Sequence, residues 1–249
     1  MRIRIKEAQQ TPQAIFMAGP AGSGKSFISK SLPLSKFQVI NVDDTYEELL
    51  KASGMGMKQK DFDPEQLSQA AKLMGQAQKT TKEKYAKALE NLNDIIIDGT
   101  GAASRPLLKK KAELEALGYE TMMVMIYVSP MTSLERNANR DRSLMPGIVL
   151  RTWRDINQNI DIYKQAFGNN FVLINNDLKD ADKSFDPQEI KRRFFDTSKA
   201  KGKPKTPEEM AKSKADVEQL NKDINTQLQN IPEFTPVNDA VSKIKAFIK

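Results

Sequence analysis

The chain has 249 residues, a net charge of +7 and a hydrophobic fraction of 39%, enough to bury a sizeable core in one α/β domain with an extension or in two small domains. It contains neither cysteine nor histidine, which excludes disulfides, thiol nucleophiles and His/Cys zinc sites and leaves general-base work to carboxylates, lysine or tyrosine. No apolar stretch approaches the roughly 20 residues that span a bilayer, and the first residues, Met1-Arg2-Ile3-Arg4-Ile5-Lys6, lack the apolar segment of a secretory signal, so a cytoplasmic protein without membrane contact is expected.

Residues 14–18 form a continuous apolar run that reads as a buried strand. It leads into Gly19-Pro20-Ala21-Gly22-Ser23-Gly24-Lys25-Ser26, which meets every fixed position of the phosphate-loop pattern. Residues 25–31 follow as a helix, so the motif has the strand–loop–helix setting that its chemistry needs. Glycines let the loop turn its N–H groups toward a polyphosphate, and the helix start adds positive potential. In this motif Lys25 reaches the β- and γ-phosphates and Ser26 ligates Mg²⁺.

The next strand is expected at 37–42. It delivers Asp43 and Asp44 to the carboxyl edge of the sheet, where α/β proteins bind ligands. One of these carboxylates can take the proton of an attacking hydroxyl while the other caps the helix expected from Thr45. Asp43 is assigned as the base and Asp44 as the cap. Residues 53–58, Ser-Gly-Met-Gly-Met-Lys, are a flexible connection. A long helix at 64–92 carries Leu67, Ala70, Ala71, Met74, Tyr85, Ala88, Leu89 and Leu92 at helical spacing. Its lysines (72, 79, 82, 84 and 87) read as a solvated face. Residues 94–98 then have the form of a Walker B strand, in which Asp98 orients Mg²⁺.

A helix at 105–117 and a strand at 121–128 precede a third cluster of polar residues. Arg136 and Arg140 share a face of the helix expected at 131–139, and Arg142 opens a segment that continues through Gly147. Next to a phosphate loop these arginines form a lid that neutralises the transferring phosphoryl group. A helix at 148–166 and a fifth strand at 171–175 complete the α/β pattern. Strands alternating with helices predict a parallel sheet of about five strands covered on both faces.

Beyond residue 197 a basic, linker-like stretch precedes two amphipathic helices at 207–229 and 237–248. These either pack back on the core or form a C-terminal helical appendage. The division is a kinase domain over 1–196 and an extension over 197–249. Most of the basic excess lies in residues 191–249, which either solubilises the chain or makes weak contact with nucleic acid.

The order of phosphate loop, Asn-x-Asp at 41–43, Asp98-Gly99-Thr100-Gly101 and an arginine-rich region resembles the zeta-toxin/polynucleotide-kinase group of P-loop kinases. The resemblance covers about residues 13–177 and includes Val128-Ser129-Pro130 ahead of Leu134, Arg136, Arg140 and Arg142. It implies a five-stranded parallel sheet and transfer of phosphate from ATP with Mg²⁺ to a hydroxyl. It places the base on Asp43, the loop lysine on Lys25 and lid arginines on Arg140 and Arg142. One departure is Asp44-Thr45-Tyr46 after Asp43, where the group often has Arg or Ile; this bears on substrate class. The acceptor is either a small molecule such as a sugar nucleotide or a polynucleotide 5′-hydroxyl. The alternative is a nucleotide-switched ATPase acting on a partner. Oligomeric state and the choice of ATP over GTP are not encoded in these motifs.

Overall fold

The apolar runs become the strands β1 (Gln13–Ala18), β2 (Gln38–Ile40), β3 (Ile95–Asp98), β4 (Glu120–Tyr127) and β5 (Phe171–Asn175). They form one five-stranded sheet in the order β2-β3-β1-β4-β5, with every pairing parallel. The computed structural model describes residues 11–32, 34–57, 62–177, 186–194 and 207–248. Residues 1–10, Lys58 of the glycine–methionine connection and the basic linker through residue 206 lie outside that set.

Successive side chains of a strand point to opposite faces, and this alternation sorts the core into two layers. Ala14, Phe16, Met123, Met125 and Leu173 face one side, where they meet Leu114, Leu134, Trp153, Tyr163 and Ile224. Those five partners come from α4 (Ser104–Ala116), α5 (Pro130–Ala138), α6 (Pro146–Gln158), α7 (Ile160–Phe167) and α9 (Pro207–Gln229). Ile15, Met17, Met122, Val124 and Val172 face the other side. That layer is closed by Ile28 of α1 (Lys25–Ser31), by Leu34 and Phe37, and by Ala240, Ile244 and Phe247 of α10 (Val237–Phe247).

The C-terminal helices therefore pack back on the sheet. Thr235 N–H donates to the Leu173 carbonyl (2.8 Å) and its hydroxyl accepts from Leu173 N–H (3.1 Å), so the chain runs along the edge of β5 before α10. Gln13 Nε2 on the central strand donates to the Phe247 carbonyl. α9 is tied to α6 by Arg154–Asp223 (3.4 Å) and by Gln227 Nε2 donating to the Arg154 carbonyl (3.2 Å).

A third cluster, Tyr46, Leu50 and Ala77 with Leu73, Met55 and Phe62 around them, joins α2 (Val42–Ala52) to α3 (Pro64–Glu90). α3 starts on a capping box in which Asp63 Oδ1 accepts from Gln66 N–H (2.8 Å) and Gln66 Oε1 accepts from Asp63 N–H (3.0 Å). The α3 lysines expected to be solvated are exposed, whereas Leu67 of its apolar set is half exposed.

Several boundaries differ from expectation. β2 ends at Ile40 and the helix after it starts at Val42, because Asn41 caps it. Asp44 is therefore not the cap; it lies in the first turn. The helix expected over 148–166 is two helices that meet at Asn159. Asn159 is buried there and spends its Nδ2 on the carbonyls of Gly101 (3.3 Å) and Ala102 (2.8 Å). A further helix, α8 (Pro187–Phe194), forms where no element was expected. It buries Ile190, and its Arg193 pairs with Glu135 of α5 (2.7 Å).

Candidate active site

Every strand contributes to the site from its carboxyl end, where a parallel sheet gathers the loops that follow its strands. After β1, Gly19 N–H donates to the Thr100 carbonyl (3.0 Å), and Ser23 N–H donates to the Pro20 carbonyl (3.1 Å). Gly24 precedes α1 with φ 87°, a left-handed conformation, and α1 has neither a side-chain cap nor an acidic residue in its first turn. The positive potential at the start of α1 therefore meets no acidic side chain of its own first turn and suits an anion.

The loop is held from behind by polar groups on α5 and after β5. Ser133 Oγ donates to the Ala21 carbonyl (2.6 Å). Arg136 donates through one guanidinium nitrogen to the Gly22 carbonyl (3.2 Å) and through the other to the Asn176 carbonyl (3.1 Å). Asn176 Nδ2 in turn donates to the Ser23 carbonyl (2.8 Å). This packing leaves no room for a Cβ at Gly22 or Gly24 without a shift of its neighbours. A Cβ on Gly22 would meet Arg136 Cβ at 2.8 Å, and one on Gly24 would meet Asn176 Nδ2 at 2.4 Å.

The loop opens onto a cleft of about 330 Å³ lined by Pro20, Gly22 to Ser26, Asn41, Asp43, Asp44, Glu47, Asp98, Arg136 and Arg140. Lys25 is half-buried in it and donates from Nζ to the Gly19 carbonyl (2.8 Å). Burial pushes its ammonium below the ordinary lysine value, Asp98 and Asp43 pull it back up, and Arg140 adds to the depression. Asp98, at the end of β3, is raised by burial, with Asp44 and Asp43 adding to the rise and Lys25 and the Asn41 amide opposing it. In both groups desolvation outweighs their mutual attraction. A polyphosphate beside Lys25 and a cation beside Asp98 would each relieve that cost.

The loop after β3 is fixed from two sides. Gly99 N–H donates to the Met17 carbonyl (3.1 Å), and Tyr163 Oη donates to the Gly101 carbonyl (2.7 Å). Asp98 Oδ2 accepts from Asn41 Nδ2 (2.9 Å), whereas Oδ1 is buried without a partner. A buried carboxylate oxygen left without a partner fits a hard divalent cation. Among the described residues no three acidic groups cluster as a self-sufficient cation site. Mg²⁺ here would be held by Ser26 and by phosphate oxygens, with Asp98 beside it.

A family model described as zeta toxin matches residues 2–172, more than half of the chain. The chain belongs to the zeta toxin family. This makes it a P-loop phosphotransferase. No curated relative matches it. The crystal structure of AvrRxo1-ORF1:-ORF2 with ATP aligns with a TM-score of 0.53 and 11% identity, over 95% of this chain and 80% of that one. The same complex with sulphate ions aligns at 0.51 and 13% over the same shares; both share the fold. The PezAT toxin–antitoxin system of Streptococcus pneumoniae aligns at 0.44 with 16% identity, over 91% of each chain.

In this zeta toxin chain the structure brings Lys25, Ser26, Asp43, Asp98, Arg136 and Arg140 to one cleft. Arg142 reaches the same place from the loop after α5. It pairs with Asp43 Oδ1 (2.9 Å) and Glu47 Oε1 (3.2 Å), lies over the Tyr46 ring and is only 9% exposed. The arginine segment is closed by Asn137, whose side-chain amide donates to the Leu144 carbonyl (2.8 Å) and accepts from Leu144 N–H (2.9 Å). The stretch expected to continue it through Gly147 is helical from Pro146. Arg136 stands apart from the other two arginines because loop carbonyls already occupy its guanidinium.

Ser133, Asn137, Glu47 and Asn176 were not assigned to the site from sequence. Ser133 and Arg136 lie three apart on α5 and so share a face, the one spacing that could have pointed to them. Asn176 follows the last residue of β5. Its neighbour Asp177 accepts from Ser129 N–H (2.8 Å) and Oγ (3.2 Å).

Proposed function

We propose that this phosphotransferase is an ATP- and Mg²⁺-dependent kinase that transfers the γ-phosphoryl group to a hydroxyl of a small molecule. The supporting observation is the convergence of a complete phosphate loop, the loop lysine and the Asp43 carboxylate on one cleft. ATP suits the loop as donor, and a structural neighbour was crystallised with ATP. The acceptor oxygen loses its proton to Asp43 and attacks the γ-phosphorus in line, and the bond to the β-phosphate oxygen breaks. Lys25 and the loop amides offset the charge that builds on the phosphoryl oxygens. Mg²⁺, beside Ser26 and Asp98, supplies further neutralisation of the phosphates. Arg140 faces the same space, and Arg142, by turning from Asp43 toward the phosphoryl group, adds a third cation.

Asp43, Asp44 and Glu47 project from one turn of α2 on the acceptor side. Their negative potential disfavours a chain of phosphates close to the reacting hydroxyl, which supports a sugar-like or sugar-nucleotide acceptor over a polynucleotide 5′-hydroxyl. Lys25→Ala is expected to abolish transfer. Asp43→Asn is expected to bind ATP as the parent does while turnover falls by at least about 100-fold, the scale of general-base catalysis. Labelled ATP incubated with sugar nucleotides, nucleosides and 5′-hydroxyl oligonucleotides, alongside an ATP-binding titration, tests the reading. A fully active Asp43→Asn enzyme would refute the role of the base, and ATP hydrolysis with no labelled acceptor would favour the nucleotide-switched alternative.

A further inference from the structure

Asn41 stands between the two carboxylates that the proposed chemistry needs. Its Oδ1 accepts from Asp43 N–H (2.8 Å) and so caps α2, while its Nδ2 donates to Asp98 Oδ2 (2.9 Å). Asp98 Oδ1 is left buried without a partner, and Asn41, Asp98 and Ser26 line the same cleft. The two carboxylates sit at the carboxyl ends of adjacent parallel strands far apart in sequence, Asp43 in the first turn of α2 after β2 and Asp98 at the end of β3, and β2 pairs with β3 through Ile40 and Ile97. A side-chain amide accepts on one atom and donates on the other without adding charge, so one residue can serve both contacts.

We infer that Asn41 is a positioning residue: it holds Asp98 by one oxygen so that the other faces the cation, and it holds the start of α2 so that Asp43 keeps its distance from that cation. This rests on the kinase reading above. Groups that hydrogen-bond a metal's carboxylate partners typically change metal affinity or activity 10–100-fold when replaced. The cap is separable from the bridge. Serine caps a helix about as well as asparagine but is too short to serve Asp98 as well. Threonine also keeps a capping hydroxyl and is likewise too short to serve Asp98.

The test uses the full chain with Mn²⁺ as a spectroscopic probe, titrated by electron paramagnetic resonance in the presence of a non-hydrolysable ATP analogue. Thermal melting and analogue binding in EDTA are measured alongside. Asn41→Ser is expected to melt within about 3 °C of the parent and to bind the metal-free analogue within about twofold, with Mn²⁺ affinity lowered about 10-fold or more. Asn41→Thr is expected to repeat the loss of Mn²⁺ affinity, and it carries the test alone if the serine variant does not fold. Parent-like Mn²⁺ binding by either folded variant, beside an Asp98→Asn variant that is weakened, overturns the inference alone. Parent-like Mn²⁺ binding by Asp98→Asn overturns the reading of Asp98 and this inference with it. A weakening of metal-free analogue binding equal to that of Mn²⁺ also overturns it, since Asn41 would then be only a cap.

Discussion

At the residue scale the cleft concentrates charges that burial penalises. Asp44 shows this without serving the loop: burial raises its carboxyl above the ordinary range, Glu47 and Asp43 raise it further, and Arg142 opposes them. A carboxylate whose folded value lies above its unfolded value costs stability when ionised. That cost is absent below the unfolded value of about 3.9, grows as pH rises, and is complete above the folded value. Asp44→Asn is therefore expected to raise the melting temperature at neutral pH, with the difference closing as pH falls to about 4. A series of thermal melts against pH checks this, and a difference independent of pH would contradict it. The eight loop residues could be assigned from sequence because their chemistry rests on the backbone and on one lysine. The division of labour between Asp43 and Asp44 could not, because the capping group is the preceding Asn41, and its second bond goes to a strand 57 residues away.

At the element scale, α10 carries the largest departure from a reading by motifs. Among the described residues, one face of the sheet is closed by the short α1, the segment around Leu34 and Phe37, and α10. Ile244 is fully buried against it. Ile244→Ala is expected to cost about 2–5 kcal/mol, whereas Val217→Ala on the exposed side of α9 should stay within about 0.5 kcal/mol. Urea unfolding of the two variants compares them, and equal midpoints would show that α10 is not part of the cooperative core. The spacing of apolar residues placed α9 and α10 closely, because helical periodicity is local. The same periodicity merged α6 and α7, because what separates them is the tertiary use of Asn159 by the loop after β3.

At the scale of the whole molecule, the order β2-β3-β1-β4-β5 puts the phosphate loop at the centre of the sheet. Asp43 and Asp98 then lie to one side of it, and Arg136 of α5 and Asn176 to the other. Donor and acceptor ends of the cleft thus belong to different strands of one rigid sheet, so ligand binding should stabilise the entire fold. ATP analogue with Mg²⁺ at 100 times its Kd is expected to add about 2.7 kcal/mol of stability, and EDTA should reduce that gain. Calorimetric melts in the two conditions check it; an equal gain with and without the metal would separate nucleotide binding from Mg²⁺. The sequence alone determined the five-stranded α/β plan and the phosphate-loop motif, since each is written in contiguous runs or short spacings. The tertiary structure alone decided that Arg136 braces the loop, that Arg142 rests on Asp43, that Asn41 joins two strands, and that α10 closes the sheet. Those are contacts between segments distant in the chain, and their partners are set by packing and desolvation rather than by any local pattern.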